Sequence, residues 1–364
     1  MSGRFDKMFG IGGIGTGIFF QLDDNRPLSR DESRAAVLTD FKDYCKGHII
    51  LHYVATLSSM VRVCMIGMVG NDELGRGLVN EMQAAGIDTK YVVFTDKAPT
   101  MFSVCYQFPD SAGGNLTSSN SACDLVTAQY IEECVAEIDE NSIVLAAPEV
   151  SLASRIRLLE IAKKRGAFTI ASFLSAEAEE FMQAGGFKLA DLITINADEA
   201  RAVSNDSFTK AAEIITFANP VIKLAITDGA RGSHLYENGV YSHLPCNPAE
   251  KVLSTAGAGD AFLGGLTAGI IAGKSFVNAA KYGAEAARLC IDTIICVGQD
   301  SEATYEGAYN EFRGGGSNSQ IIYFGSKNDC IAQLPNFVKA GDTILVKASR
   351  GMRFEDIVSK LVND

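Results

Sequence analysis

Residues 254–265 read STAGAGDAFLGG. Three small residues, Gly257, Ala258 and Gly259, lead directly into Asp260, and an apolar run follows from Ala261 to Ala272. That run has the composition of a buried helix. A turn without large side chains exposes consecutive backbone N–H groups. At a helix N-terminus those donors and the helix dipole attract an anion. A phosphate repels a carboxylate, so an aspartate beside an anion cradle points to a base acting on a substrate hydroxyl. The N–H groups would then neutralise charge on a transferring phosphoryl group. The plainer reading is a glycine-rich helix start with Asp260 as its N-terminal cap. These residues alone do not choose between the two.

On the N-terminal side of this stretch, strand-like and helix-like runs alternate. Val63–Met68, Ser142–Ala147, Phe168–Ala171, Leu192–Ile195 and Leu224–Thr227 are short and nearly continuous apolar runs. Such runs suit parallel strands buried on both faces. Ser154–Arg165 and Asp72–Ala85 carry apolar residues at helical spacing and end before Gly166 and Gly86, which read as C-caps. The alternation predicts βαβ units in an α/β fold with a parallel, doubly wound sheet. Two regions, about 16–60 and 91–122, break the rhythm. Their strand-like pieces GIFFQL, HIILHYV and MFSVCYQF, joined by polar or glycine-rich residues, predict a small separate β layer.

Gly10, Gly12 and Gly15 spell GxGxxG. A dinucleotide fingerprint needs a strand before it and a helix start after it. Here a β-like run, Ile18–Leu22, follows instead. The expectation is a glycine-rich first strand that lets another segment approach closely. An NAD-dependent enzyme, with cofactor bound at that turn, is the competing reading of this pattern.

The chain has 364 residues and a formal net charge of −12. This balance argues against a nucleic-acid partner, and no run of about 18 apolar residues indicates a membrane span. The first residues, MSGRFDKMFG, do not read as a secretory signal. Nine scattered cysteines without a CxxC pair suit reduced thiols in a cytoplasmic protein. From Ser319 onward the balance is +1, against −13 for the rest. Arg313–Ser319, RGGGSNS, reads as a flexible linker. The expected organisation is therefore a body over 1–312, a linker over 313–319 and a tail over 320–364.

The STAGAGDAF run resembles the C-terminal signature of the ribokinase/PfkB carbohydrate kinases. MVGNDELGRG (68–77), NADEA (196–200), ITDGARG (226–232) and the helical run Ala279–Ala287 resemble further landmarks of that family, in its order. The resemblance covers about residues 7–300. It implies a ribokinase-like three-layer α/β/α fold, with a mostly parallel central sheet and a small β lid. It implies a phosphotransferase that uses ATP and Mg2+ on a hydroxyl of a sugar or sugar-like molecule, or of a nucleoside. By the same resemblance Asp260 is the general base and Gly257, Ala258 and Gly259 form the anion hole. Asn196 and Glu199 position the phosphates and magnesium, with Glu199 reaching the metal through water. Thr227 and Gly229 line the nucleotide site. Lids in this family often pair between subunits, so a homodimer through the lid is an expectation.

The sequence also departs from the family. Ser254 replaces an aspartate associated with a monovalent-cation site. Gly17 stands near the place of an acceptor-binding aspartate, and KGH (46–48) lacks the asparagine of a GGxxxN signature. In addition, Gly341–Val358 resembles the C-terminal end of the Mur ligases of the D-alanyl-D-alanine-adding type. A catalytically weak nucleotide-binding or regulatory protein linked to cell-wall metabolism is the competing reading.

Overall fold

The computed structural model describes residues 4–40, 42–58, 60–110, 112–246, 257–288, 293–298, 301, 320–338, 356–357 and 360–361. The chain divides into two compact units, Met1–Arg288 and Leu289–Asp364.

In chain order the strands of the first unit are β1 (Lys7–Ile11), β2 (Gly15–Gln21), β3 (Val37–Asp40), β4 (Arg62–Gly70), β5 (Ile87–Thr95), β6 (Met101–Gln107), β7 (Gly113–Thr117), β8 (Ser142–Ala146), β9 (Phe168–Ala171), β10 (Leu192–Asn196), β11 (Lys223–Thr227), β12 (Ser233–Glu237) and β13 (Val240–Leu244). Nine of them form one sheet in the order β13-β12-β11-β10-β9-β8-β1-β4-β5. Pairing is parallel from β5 to β11, and β12 and β13 run antiparallel at the edge. This is the ribokinase-like layered α/β arrangement expected from the sequence.

The strands read as continuous apolar runs because both faces are covered. Phe9, Val144 and Ala146 enter one core, while Met8, Ile143 and Leu145 enter the other. This is the two-residue period of a strand divided between two helical layers. The predicted helices form as Leu152–Lys164 and Glu73–Ala84. Gly166 and Gly86 follow them at φ +77° and +84°, conformations that suit glycine. Asp72 caps the second of these helices through Gly75 N at 2.7 Å. It also accepts from Thr100 N at 2.8 Å, tying the helix to the start of β6.

The β layer is real but narrower than the sequence suggests. Its order is β3-β2-β6-β7. Residues 91–95 belong to β5 at the edge of the main sheet. The HIILHYV stretch is not a strand. It lies inside the helix Lys46–Leu57, where Ile50, Leu51 and Val54 are fully buried. That helix is enclosed on most sides, so no polar face marks its period. The glycines of the GxGxxG pattern explain its seat. A Cβ on Gly10 would lie 2.7 Å from Leu51, and one on Gly12 would lie 3.1 Å from Gly47 Cα. The pattern is a close-packing device between a strand and a helix, with strand β2 directly after it and no helix start.

In the second unit, β14 (Thr293–Val297) pairs in parallel with β15 (Gln320–Phe324), and the helix Lys327–Gln333 follows. Val297, Cys330, Leu334 and Ile357 form its core. Ser254, the linker 313–319 and nearly all of the Mur-ligase-like stretch 341–358 lie outside the described residues.

Candidate active site

Parallel α/β sheets present ligand sites beyond the carboxyl ends of their strands, where neighbouring connections diverge. Strand β1 sits between β8 and β4, which lie on opposite sides of it. Gly13 follows β1 and Glu149 follows β8. A Cβ on Gly13 would lie 2.9 Å from Glu149 Oε2, so glycine lets the carboxylate close over the strand end. Glu149 holds φ +74°, an uncommon backbone conformation for a side-chain-bearing residue. Its Oε2 accepts the Lys46 backbone N–H at 3.2 Å.

Asp260 arrives from a different element. The helix Ala258–Ile271 begins after Gly257, which takes φ +73° and caps without a side chain. The first intrahelical bond runs from Ala261 N to Gly257 O at 2.9 Å. Helix geometry therefore leaves the N–H groups of Ala258, Gly259 and Asp260 without intrahelical acceptors. Nothing lies within 4 Å of a Cβ built on Gly259. Gly257, not Asp260, is the N-cap of this helix, and Asp260 stands in its first turn.

Asn196 ends β10 and starts the helix Ala197–Ser204. Its Oδ1 accepts from Asp198 N at 2.9 Å and Glu199 N at 2.8 Å, and Glu199 Oε2 accepts from Asn196 N at 2.8 Å. This is a reciprocal capping box. Glu199 is buried, and its Oε1 lies 3.2 Å from Lys46 Nζ. Lys46 Nζ also stands 3.9 Å from Asp260 Oδ1. One ammonium thus joins Asp260 to Glu199. Thr227 stands opposite Asn196 in the β10–β11 register. Gly229 follows at φ +55° with open space around its Cβ position. Between these two residues, Asp228 pairs with Arg231 at 2.6 Å.

These charges set one another. Burial pushes the Asp260 carboxyl up to about 6; Lys46 pulls it down and Glu199 adds to the rise. Burial pushes Glu149 up to about 7, opposed by the Cys45 thiol and Lys46 and helped by Asp260. Burial works against the Lys46 ammonium, but Asp260, Glu199 and Glu149 together hold it above the ordinary lysine value. Perturbed carboxylates around one cation in a cleft make a candidate functional site.

The cleft is a cavity of ≈ 480 Å³. Asp260, Gly257, Lys46 and Glu149 line it, together with Asp43, Ile49 and residues of β2, β6 and β7, including Thr16, Phe19, Ser103, Tyr106, Asn115 and Thr117. The lid sheet and the carboxylates therefore line one cavity. Sequence reasoning missed Lys46, Glu149 and Asp43. Their signals are faint: a lone Lys-Gly pair, and a glutamate just beyond a buried strand. Among the described residues no group of three or more His, Cys, Asp or Glu could hold a metal ion. The Glu199 carboxylate suits an ion carried by phosphates and waters rather than a protein cage.

Comparison with known proteins identifies the chain's family. The pfkB family carbohydrate kinase profile matches residues 50–299. A ribokinase of Haemophilus influenzae is 24% identical over 244 residues, covering 65% of this chain and 78% of its own. A maize fructokinase-1 is 24% identical over 220 residues, covering 57% of this chain and 67% of its own. Among solved structures, ribokinase of Thermotoga maritima superposes with a TM-score of 0.65 at 22% identity, covering 78% of this chain and 92% of that one. Arabidopsis thaliana ribokinase complexed with ribose and ATP gives 0.62 at 19% identity, covering 79% and 93%. With its signature segments in the family's order and the profile spanning most of its length, the chain belongs to the pfkB family of carbohydrate kinases, and is a sugar kinase.

Proposed function

We propose that this kinase transfers the γ-phosphoryl group of ATP to a hydroxyl of a sugar or sugar-like acceptor, with Asp260 as general base. The observation that carries the reading is the place of Asp260: a carboxyl only partly exposed in a cleft and held near 6, in the first turn of a helix whose opening amides lack intrahelical acceptors. The acceptor hydroxyl gives its proton to Asp260 as its oxygen bonds to phosphorus and the bond to the ADP leaving oxygen breaks. The amides of Gly257, Ala258 and Gly259 face the charge on the transferring group. Lys46 pulls the Asp260 carboxyl down and supplies a positive group beside it.

Asn196 and Glu199 fix one side of the phosphate site, and Thr227 and Gly229 border the nucleotide. Mg2+, held by the phosphates and by water against Glu199, would neutralise phosphate charge. We also read the lid as a homodimer surface. Val37 and Leu116 on its edge strands β3 and β7 are 65% and 74% exposed, and exposed edges pair readily. Sedimentation would show a dimer, and a monomer would end that reading.

The test of the main reading is ATP turnover with Mg2+ against a panel of sugars, polyols and nucleosides. Sugar-dependent ADP release supports it. ATP binding with no acceptor turned over would favour the regulatory reading, in which the Mur-ligase-like tail ties a weak enzyme to the cell wall.

A further inference from the structure

Asp43 is not used by the chemistry above, yet it lines the same cavity. It lies outside the helices and strands, three residues before the helix Lys46–Leu57. Its Oδ2 accepts from Ser103 Oγ and from Cys105 Sγ, the latter at 3.1 Å. Ser103 and Cys105 alternate along β6 and so share a face of the lid sheet. Burial and the Asp43 carboxylate push the Cys105 thiol up to about 12, so it stays protonated and donates. Two donors thus fix one carboxylate oxygen. The other, Oδ1, has no partner among the described residues, and no cation pairs with Asp43 among them.

Gly17 makes room for this arrangement. It faces Ser103 in the β2–β6 register. A Cβ there would lie 2.5 Å from Ser103 O and Oγ and 3.0 Å from Asp43 Cβ. The position cannot carry a side chain, and the carboxylate over it comes from Asp43. Asp43, Glu149 and Asp260 line the cavity, and Lys46 is the one Lys or Arg there among the described residues. Lys46 is already committed to Glu199 and Asp260. An acceptor carrying its own negative charge would meet three carboxyl groups and no uncommitted cation, whereas hydroxyl groups would meet acceptors for their protons.

We propose that Asp43 anchors the acceptor through its hydroxyl groups, and that the cavity selects an uncharged polyol over sugar acids and sugar phosphates. The inference rests on the kinase reading above and adds the acceptor's charge class and a positioning residue. With Oδ2 held by Ser103 and Cys105, the free Oδ1 accepts from the acceptor's hydroxyl groups, which sets which hydroxyl is left to face Asp260.

The experiment compares wild type with Asp43→Asn in ATP turnover. The panel pairs neutral sugars and polyols with the corresponding sugar acids and sugar phosphates. The expected result is wild-type turnover confined to neutral acceptors. In Asp43→Asn the acceptor KM should rise roughly 10- to 100-fold while the ATP KM stays within about twofold. Ser103→Ala, which frees the carboxylate without removing it, should raise the acceptor KM less, and it serves as the readout if Asp43→Asn does not fold. An unchanged acceptor KM in a folded Asp43→Asn, or preference of wild type for an acidic acceptor, overturns the proposal and leaves the kinase reading intact. A folded wild type that turns over nothing in the panel overturns both.

Discussion

The Lys46 ammonium stands 3.9 Å from the Asp260 carboxylate while hydrogen-bonding Glu199 at 3.2 Å. A single cation therefore links the first turn of the helix Ala258–Ile271 to the capped start of the helix Ala197–Ser204. Lys46 pulls the Asp260 carboxyl down against the rise that burial gives it.

Asp260→Asn is the direct test of the base. The amide keeps the size of the side chain but cannot take a proton. Turnover should fall by about 10²- to 10⁴-fold, the usual worth of a positioned general base. ATP affinity should hold within about twofold, because the first-turn amides are backbone. Calorimetric titration of ATP beside a coupled assay reads both quantities, and undiminished turnover would remove Asp260 from the mechanism.

The same site predicts the acid limb of the rate profile. A base must be deprotonated to act, so kcat/KM should fall as pH drops through about 6. Lys46 pulls the Asp260 carboxyl down. Lys46→Met therefore should move the acid limb to higher pH, besides lowering the rate at its plateau. A limb that stays in place would mean that another group controls it.

The sheet could be read from sequence because each central strand is buried on both faces. Phe168–Ala171 and Leu192–Ile195 appear as nearly continuous apolar runs bounded by polar or glycine residues. The helix Lys46–Leu57 could not. Only His52 of it is exposed, so its composition mimics a strand. The site divides in the same way. Gly257 to Asp260 announce themselves because turn, helix start and carboxylate are adjacent. Asp43, Lys46 and Glu149 come from two segments about a hundred residues apart, and the pairing of β1 with β8 brings Glu149 to the cavity that the others line.

Burial of the carboxylates has a cost that pH should reveal. Asp260 has a folded value near 6 against an ordinary 3.8. A group raised in this way stabilises the fold fully below its unfolded value, and that contribution is lost as pH rises through the folded value. Wild type should therefore lose about 1–3 kcal/mol of stability from this group between pH 4 and pH 7. Asp260→Asn should escape that loss, since Lys46 keeps Glu199 as its partner. The variant should melt higher than wild type at pH 8, and the gap should close toward pH 4. Melting curves followed by circular dichroism at the two pH values decide the matter, and a pH-independent gap would contradict the assignment.

Asn196 separates architecture from nucleotide chemistry. As a helix cap it bonds Asp198 N and Glu199 N, and aspartate caps as well as asparagine. Asn196→Ala should cost about 1 kcal/mol through the lost cap. Asn196→Asp should keep stability within about 0.5 kcal/mol, because the carboxylate caps the same amides and favours the helix dipole. Its charge would nevertheless stand beside the phosphates, and the KM for ATP should rise several-fold, more steeply at low salt. If Asn196 serves only as a cap, the aspartate variant will bind ATP as wild type does. Paired measurements of melting temperature and of ATP KM at two ionic strengths therefore tell a capping residue from one that also faces the nucleotide.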